Sequence, residues 1–269
     1  MFLAAGRTLI RIAPPELVES RPLESFETTF FWVAGVAALL IGLSKGGLSN
    51  AGVLGTPVLA LVISPVQAAA LLLPIFVVSD IFGVWAYRRE FDRRNLKVLI
   101  PPALVGIAIG WATASIVSES WVGLAIGVLG VAFTLNAWRV RHHPPAPKPA
   151  DLPRGLFWGT VMGFSSFVSH SGGPPYQVYV LPQQLPKTVF AGTTAIAFAI
   201  VNAVKLLPYW ALGQFNATNL KVSALLMPIA VAGTFIGVKL VRVLPEKTYY
   251  AFVQIMLFVV SVKLIVDAL

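Results

Sequence analysis

The chain has 269 residues, 57% of them hydrophobic and only 12% charged, with a mean hydropathy of +0.80. Soluble domains carry about 25% charged residues, so a water-facing surface of ordinary extent is excluded; at roughly 20 apolar residues per crossing, the length holds about eight to ten membrane segments. The net charge of +9 fits Lys and Arg gathered in cytoplasmic loops rather than nucleic acid, and the absence of cysteine removes disulfides, thiolate catalysis and Cys-based metal sites.

Residues 1–28 read as an N-terminal tail in which Arg7, Arg11 and Arg21 lie among Glu16, Glu19, Glu24 and Glu27. Its apolar run is too short and too interrupted for a secretory signal. A first transmembrane repeat, residues 29–138, holds apolar segments at Thr29–Ser44, Ala51–Ile63, Val66–Tyr87, Leu96–Val117 and Trp121–Trp138. Residues 139–154 form a Pro-rich linker with His142, His143 and Pro144, Pro145, Pro147, Pro149 and Pro153. A second repeat, residues 155–269, restarts the pattern at Gly155–Val168, a very short Tyr176–Leu181, Thr188–Leu212, Val222–Val241 and Tyr249–Val266.

The repeat is visible in the letters. Phe91-x-x-x-Asn95-Leu96-Lys97-Val98 recurs 124 residues later as Phe215-x-x-x-Asn219-Leu220-Lys221-Val222. Pro101, Gly106 and Gly110 then correspond to Pro228, Gly233 and Gly237. The two Gly-x-x-x-Gly pairs put small residues on one helix face and predict packing seams within each half. Charge placement predicts that the halves are inverted. The loop with Arg88, Arg89, Arg93, Arg94 and Lys97 is basic whereas Gly213–Lys221 holds only Lys221, and Arg242 and Lys247 stand where the first half has Glu119. Inversion needs an odd number of crossings per half, which favours five plus five with both termini outside. If the short second segments dip in and return, the count is eight and the halves run parallel.

Each half contains one interruption of its oily sequence. The first is Gly42-Leu43-Ser44-Lys45-Gly46-Gly47-Leu48-Ser49-Asn50, the second Ser165-Ser166-Phe167-Val168-Ser169-His170-Ser171-Gly172-Gly173-Pro174-Pro175. Glycine frees the backbone and proline removes amides from the helical ladder. Unwound backbone at membrane depth is tolerated only where protein or a wet cavity covers it, and exposed N–H groups at a half-helix start favour anions. The expected anion-binding residues are therefore Ser44, Lys45, Gly46, Gly47, Ser49 and Asn50 in the first break, with His170, Ser171, Gly172 and Gly173 in the second. Gln177 and Tyr179 follow it closely. Charged residues inside spans add to the set, since each costs about 2.5–3.5 kcal/mol on insertion scales. Lys205 shares a helical stripe with Thr194, Phe198 and Asn202, a row suited to lining an anion path. Asp80 is read equally as functional or as the ion-pair partner of Lys45 or Lys205. Asp80 and His170 are the proton-coupling candidates. Trp85, Tyr87, Trp121, Trp138, Trp158, Tyr209 and Trp210 sit near segment ends as interfacial anchors. No His-Glu-x-x-His zinc helix or Walker A loop is present.

These residues resemble the TauE/SafE sulfite-exporter-like family. The resemblance is carried by Gly42-Leu43-Ser44-Lys45-Gly46-Gly47, Thr56-Pro57, Ser64-Pro65-x-x-Ala68-Ala69 and Tyr87-Arg88-Arg89. In the second half it rests on His170-x-Gly172-Gly173-Pro174-Pro175, Asn202-x-x-Lys205 and Gly213-x-Phe215. Ser49-Asn50 departs from it, where many relatives continue with glycine. The resemblance implies an inner-membrane permease for small anions such as sulfite, sulfoacetate or other sulfonates, usually described with seven or eight helices.

The expected fold is thus an all-α polytopic transmembrane helical bundle of two inverted repeats with interrupted helices. The expected function is secondary transport of a small anion, the rival being an intramembrane enzyme or a scaffold. No cofactor or metal is expected. Its partners would be a small anionic substrate and membrane lipid, with a homodimer left open, in the cytoplasmic membrane of the cell.

Overall fold

The computed structural model describes residues 28–63, 65–113, 116–140, 145–211 and 217–269. Residues 1–27 of the tail, His142, His143 and Pro144 of the linker, and the Gly213-x-Phe215 turn lie outside the described residues. Among those described there are ten α-helices and no strand. They are α1 (Thr28–Lys45), α2 (Gly55–Leu59), α3 (Pro65–Tyr87), α4 (Arg93–Ala112), α5 (Glu119–Arg139), α6 (Leu152–Ser169), α7 (Gly173–Val180), α8 (Lys187–Ala211), α9 (Ala217–Val243) and α10 (Glu246–Ala268). Six are long and apolar enough to cross a membrane: α1, α4, α5, α8, α9 and α10. Their outer faces carry Trp32, Trp121, Leu207, Leu225 and Val266, all largely exposed as a lipid-facing surface requires.

Both interruptions end a helix. After α1, Gly47 takes φ 105° and Asn50 φ 73°, and the chain runs through a 3-10 turn (Ala51–Leu54) into the single turn and a half of α2. The apolar segment read as Ala51–Ile63 is therefore two short pieces rather than one. After α6, His170 takes φ 50° as a left-handed cap, and Pro174 and Pro175 fall in the first turn of α7, where the missing amides cost nothing.

Glycine decides how the long helices meet. A Cβ on Gly42 would stand 2.0 Å from the Ala230 carbonyl oxygen, and one on Gly46 would stand 2.3 Å from that of Thr234. On the opposite pair, a Cβ on Gly106 would lie 2.1 Å from the Thr160 oxygen, and on Gly163 1.9 Å from that of Ala103. These are backbone-to-backbone approaches of α1 on α9 and of α4 on α6. The seams at Gly106-x-x-x-Gly110 and Gly233-x-x-x-Gly237 thus join helices of different halves, not helices of one half. The reason is steric: only glycine lets two helices cross this closely, and the complementary glycines are Gly42 on α1, Gly46 just past its end, and Gly159 and Gly163 on α6. The remaining interfaces place α5 on α10, and α3 on α8 and α9.

A Gly163→Ala variant is expected to lose about 1–3 kcal/mol of stability by overpacking, measured as a lowered melting temperature of the purified protein. Gly35→Ala, whose Cβ would meet Ile229 Cδ1 at an ordinary 3.6 Å, is expected to melt like the parent.

Candidate functional site

The first break is held from two sides by tyrosine. Tyr87 at the end of α3 donates its hydroxyl to the Gly46 carbonyl at 2.7 Å, and Tyr249 of α10 donates to the Gly47 carbonyl at 2.8 Å. Both rings are fully buried, so Tyr87 is a clamp on the break and not the interfacial anchor its position near a segment end suggests. Within the break, the amides of Gly46, Gly47, Leu48 and Ala51 all bond to nearby carbonyls. In the second break, Ser171 N bonds to Ser165 O, and Pro174 and Pro175 have no amide to offer. The amides of Gly46, Gly47, Leu48 and Ser171 are thus already engaged within the turns.

The Lys45 ammonium, at the very end of α1, lies 2.7 Å from Asp80 Oδ1 and over the Phe76 ring. Asn202 Nδ2 donates to the other carboxylate oxygen, Asp80 Oδ2, at 2.7 Å. Asp80 thus ties α1, α3 and α8 together, and Lys45 is the partner it selects. Lys205, one helical turn from Asn202 and only 2% exposed, donates to the Ser166 carbonyl at 2.8 Å and lies 3.3 Å from both Ser166 Oγ and His170 Nδ1. An ammonium only donates, so Nδ1 faces it as the acceptor of a neutral imidazole. Ser166 sits in the last turn of α6, where a carbonyl has no intrahelical partner; Lys205 supplies one and complements the negative end of the helix dipole.

The two breaks touch. Gly173, the first residue of α7, packs so tightly that a Cβ there would stand 2.5 Å from Asn50 Oδ1. Beside this contact opens a cavity of about 780 Å³. Of the residues expected from the sequence, Ser44, Lys45, Ser49, Asn50, His170, Gly173, Gln177, Thr194, Asn202 and Lys205 line it. The α8 stripe faces it along its length, with Phe198 between the polar residues. Gly46, Gly47, Ser171, Gly172 and Asp80 do not line it. Gly46 is pressed on α9, Gly47 turns the chain, and Gly172 abuts Ser166 and Met162. Ser171 shares a short hydrogen bond with Ser169, and Asp80 stands behind Lys45 and Asn202. Tyr179 reaches away, donating to the Asp151 carbonyl at 2.9 Å.

The buried polar atoms at this cavity that lack a hydrogen-bond partner include Nδ2 of Asn50, a residue 5% exposed, and Oε1 of Gln177, a residue 1% exposed. A buried polar group left unpaired costs about 1–3 kcal/mol, so a ligand or water belongs against them. Sequence reasoning passed over Leu73 and Phe76 on the wall, because an ordinary helical letter carries no sign of which face meets a cavity.

The profile of the family described as Sulfite exporter TauE/SafE matches residues 34–264. The chain belongs to the TauE/SafE family. No curated protein and no solved structure matches it. TauE/SafE proteins are membrane transporters of small anions, and with six long apolar helices this member is a multi-pass membrane protein. Gly42-Leu43-Ser44-Lys45-Gly46 does spell the G-x-S-x-G of a hydrolase nucleophile elbow. That motif needs a turn from strand into helix, whereas here it ends a helix in a protein with no strand among the described residues.

Tyr87→Phe leaves the buried Gly46 carbonyl without its donor. The expected cost is about 1–3 kcal/mol, read as a lower melting temperature, with slower anion flux because the break loses one of its two clamps.

Proposed function

We propose that this TauE/SafE protein is a secondary transporter, in the cytoplasmic membrane, of a small anion such as sulfite or an organosulfonate. The anion binds in the cavity between the two breaks. The observation that carries the reading is the convergence, on one cavity, of two buried lysines with the unpaired Asn50 and Gln177 side-chain groups. Lys45 and Lys205 supply the charge. Asn50, Ser49 and Gln177 supply hydrogen bonds and orientation, and the α8 stripe with Phe76 forms the wall. Binding rests on side chains rather than on the amides of the breaks.

We further propose that α1–α5 and α6–α10 are inverted repeats. Supporting the repeat, the helix contacts map onto themselves when the two sets are exchanged: α1 on α9 becomes α6 on α4, while α3 on α8 and α5 on α10 are each retained; supporting the inversion, matching loops of the two halves carry unequal basic charge. Placing the site at the junction of such repeats suits alternating access, since rocking one against the other would open the cavity first to one side and then to the other.

Reconstituted into liposomes, the protein is expected to carry sulfite or sulfonate flux. Lys205→Ala and Lys45→Ala are each expected to reduce it by about tenfold or more, the equivalent of about 1.4 kcal/mol in binding. Flux unchanged in both variants would refute the assignment.

A further inference from the structure

We infer that the site selects anions by charge, accepting monoanions and rejecting dianions, and that Asp80 sets this preference without touching the ligand. The inference rests on the anion-binding reading above and adds the valence of the cargo. Among the described residues the buried lysine, arginine, aspartate and glutamate side chains are Lys45, Asp80 and Lys205. Two cations face one carboxylate, and that carboxylate is engaged by Lys45 at 2.7 Å. The protein partners of Lys205 are neutral: a carbonyl, a hydroxyl and an imidazole nitrogen. The site therefore holds one positive charge in excess, and the geometry puts that excess on Lys205, which lines the same cavity as the unpaired Asn50 and Gln177 groups.

One negative charge on the ligand balances this exactly once. A second does not. The cost of dehydrating an ion rises with the square of its charge, about fourfold from a monoanion to a dianion, whereas attraction to a fixed excess charge rises only in proportion. A dianion would also leave its second charge buried without a partner. One end of the cavity acts in the same direction. Where the start of α5 and the end of α10 border the cavity, Glu119, Lys263 and Asp267 line it. Lys263 is paired with Asp267, which leaves the Glu119 carboxylate in excess at that end of the cavity. Repulsion there, softened by salt, is doubled for a dianion. Sulfite would then enter as hydrogen sulfite, and an organosulfonate as it stands only where it carries no second ionised group; sulfoacetate, a dianion, would be rejected with sulfate.

Methanesulfonate and sulfate test this cleanly. Both present oxygens on a tetrahedral sulfur, and one carries a single negative charge where the other carries two. Melting temperatures of the purified full-length protein are measured against each anion at fixed ionic strength, in the low range where sulfate does not yet stabilise proteins by exclusion from their surfaces. Methanesulfonate is expected to stabilise saturably, at a half-saturating concentration lower than that of sulfate by about tenfold or more. Lys205→Met removes the excess charge and is expected to abolish that response. Asp80→Asn raises the excess to two and is expected to lower the half-saturating concentration of sulfate by about tenfold or more.

Sulfate saturating at the same or a lower concentration than methanesulfonate on the parent protein would overturn the inference while leaving anion binding intact. So would a methanesulfonate response that survives Lys205→Met, or an unchanged preference in Asp80→Asn. No stabilisation by either anion would instead remove the anion-binding reading, and this inference with it. The comparison on the parent protein decides the matter by itself where Asp80→Asn does not fold.

Discussion

Burying an ammonium group in the interior of a membrane protein is the constraint around which this structure is arranged. An unpaired charge there costs several kcal/mol, and the chain buries two lysines with one carboxylate. Lys45 is neutralised by Asp80. Lys205 is met instead by the free carbonyl of Ser166, and that carbonyl is free because α6 stops at Ser169. The second interruption is thus more than a gap in a helix: ending α6 there creates the acceptor that makes a buried, uncompensated lysine tolerable. The first serves the same end differently, since α1 terminates on Lys45 itself and so aims a cation at the same cavity. Both lysines complement the negative ends of broken helices.

The rest of the fold holds these two ends in register. Close crossings at glycine lock α1 to α9 and α6 to α4, so each broken helix is gripped by a long one from the other part of the chain. Tyr87 and Tyr249, from α3 and α10, hold consecutive carbonyls of the first break. Asp80 bridges α1, α3 and α8. A shift of any of these elements changes the distance between the two lysines. That coupling between helix packing and site geometry is what a transporter needs if movement of its halves is to open and close a binding site.

Much of this was legible in the letters, and the part that was not has a physical cause. The helix breaks announce themselves through Gly, Ser and Pro runs in apolar sequence, and the stripe Thr194, Phe198, Asn202, Lys205 follows from helical spacing alone. Asp80 as partner of Lys45 was one of two pairings the sequence left open. What the letters do not contain is how turns spend their backbone groups. Gly46 and Gly47 look like open backbone donors in the sequence, yet their amides are bonded to Gly42 and Ser44. Partners distant in sequence are equally hidden: Tyr87 and Tyr249 lie 41 and 202 residues from the carbonyls they hold. The glycine seams show the same limit, because Gly-x-x-x-Gly declares that a helix will approach closely but not which helix it approaches.

An experimental structure of the protein soaked in selenite, whose selenium scatters anomalously, tests the central claim most directly. The account predicts one strong anomalous peak in the cavity, within hydrogen-bond reach of Lys205 and of Asn50 or Gln177. Selenium found only at the lipid-facing surface, or a structure in which Lys45 and Lys205 open onto different cavities, would contradict it.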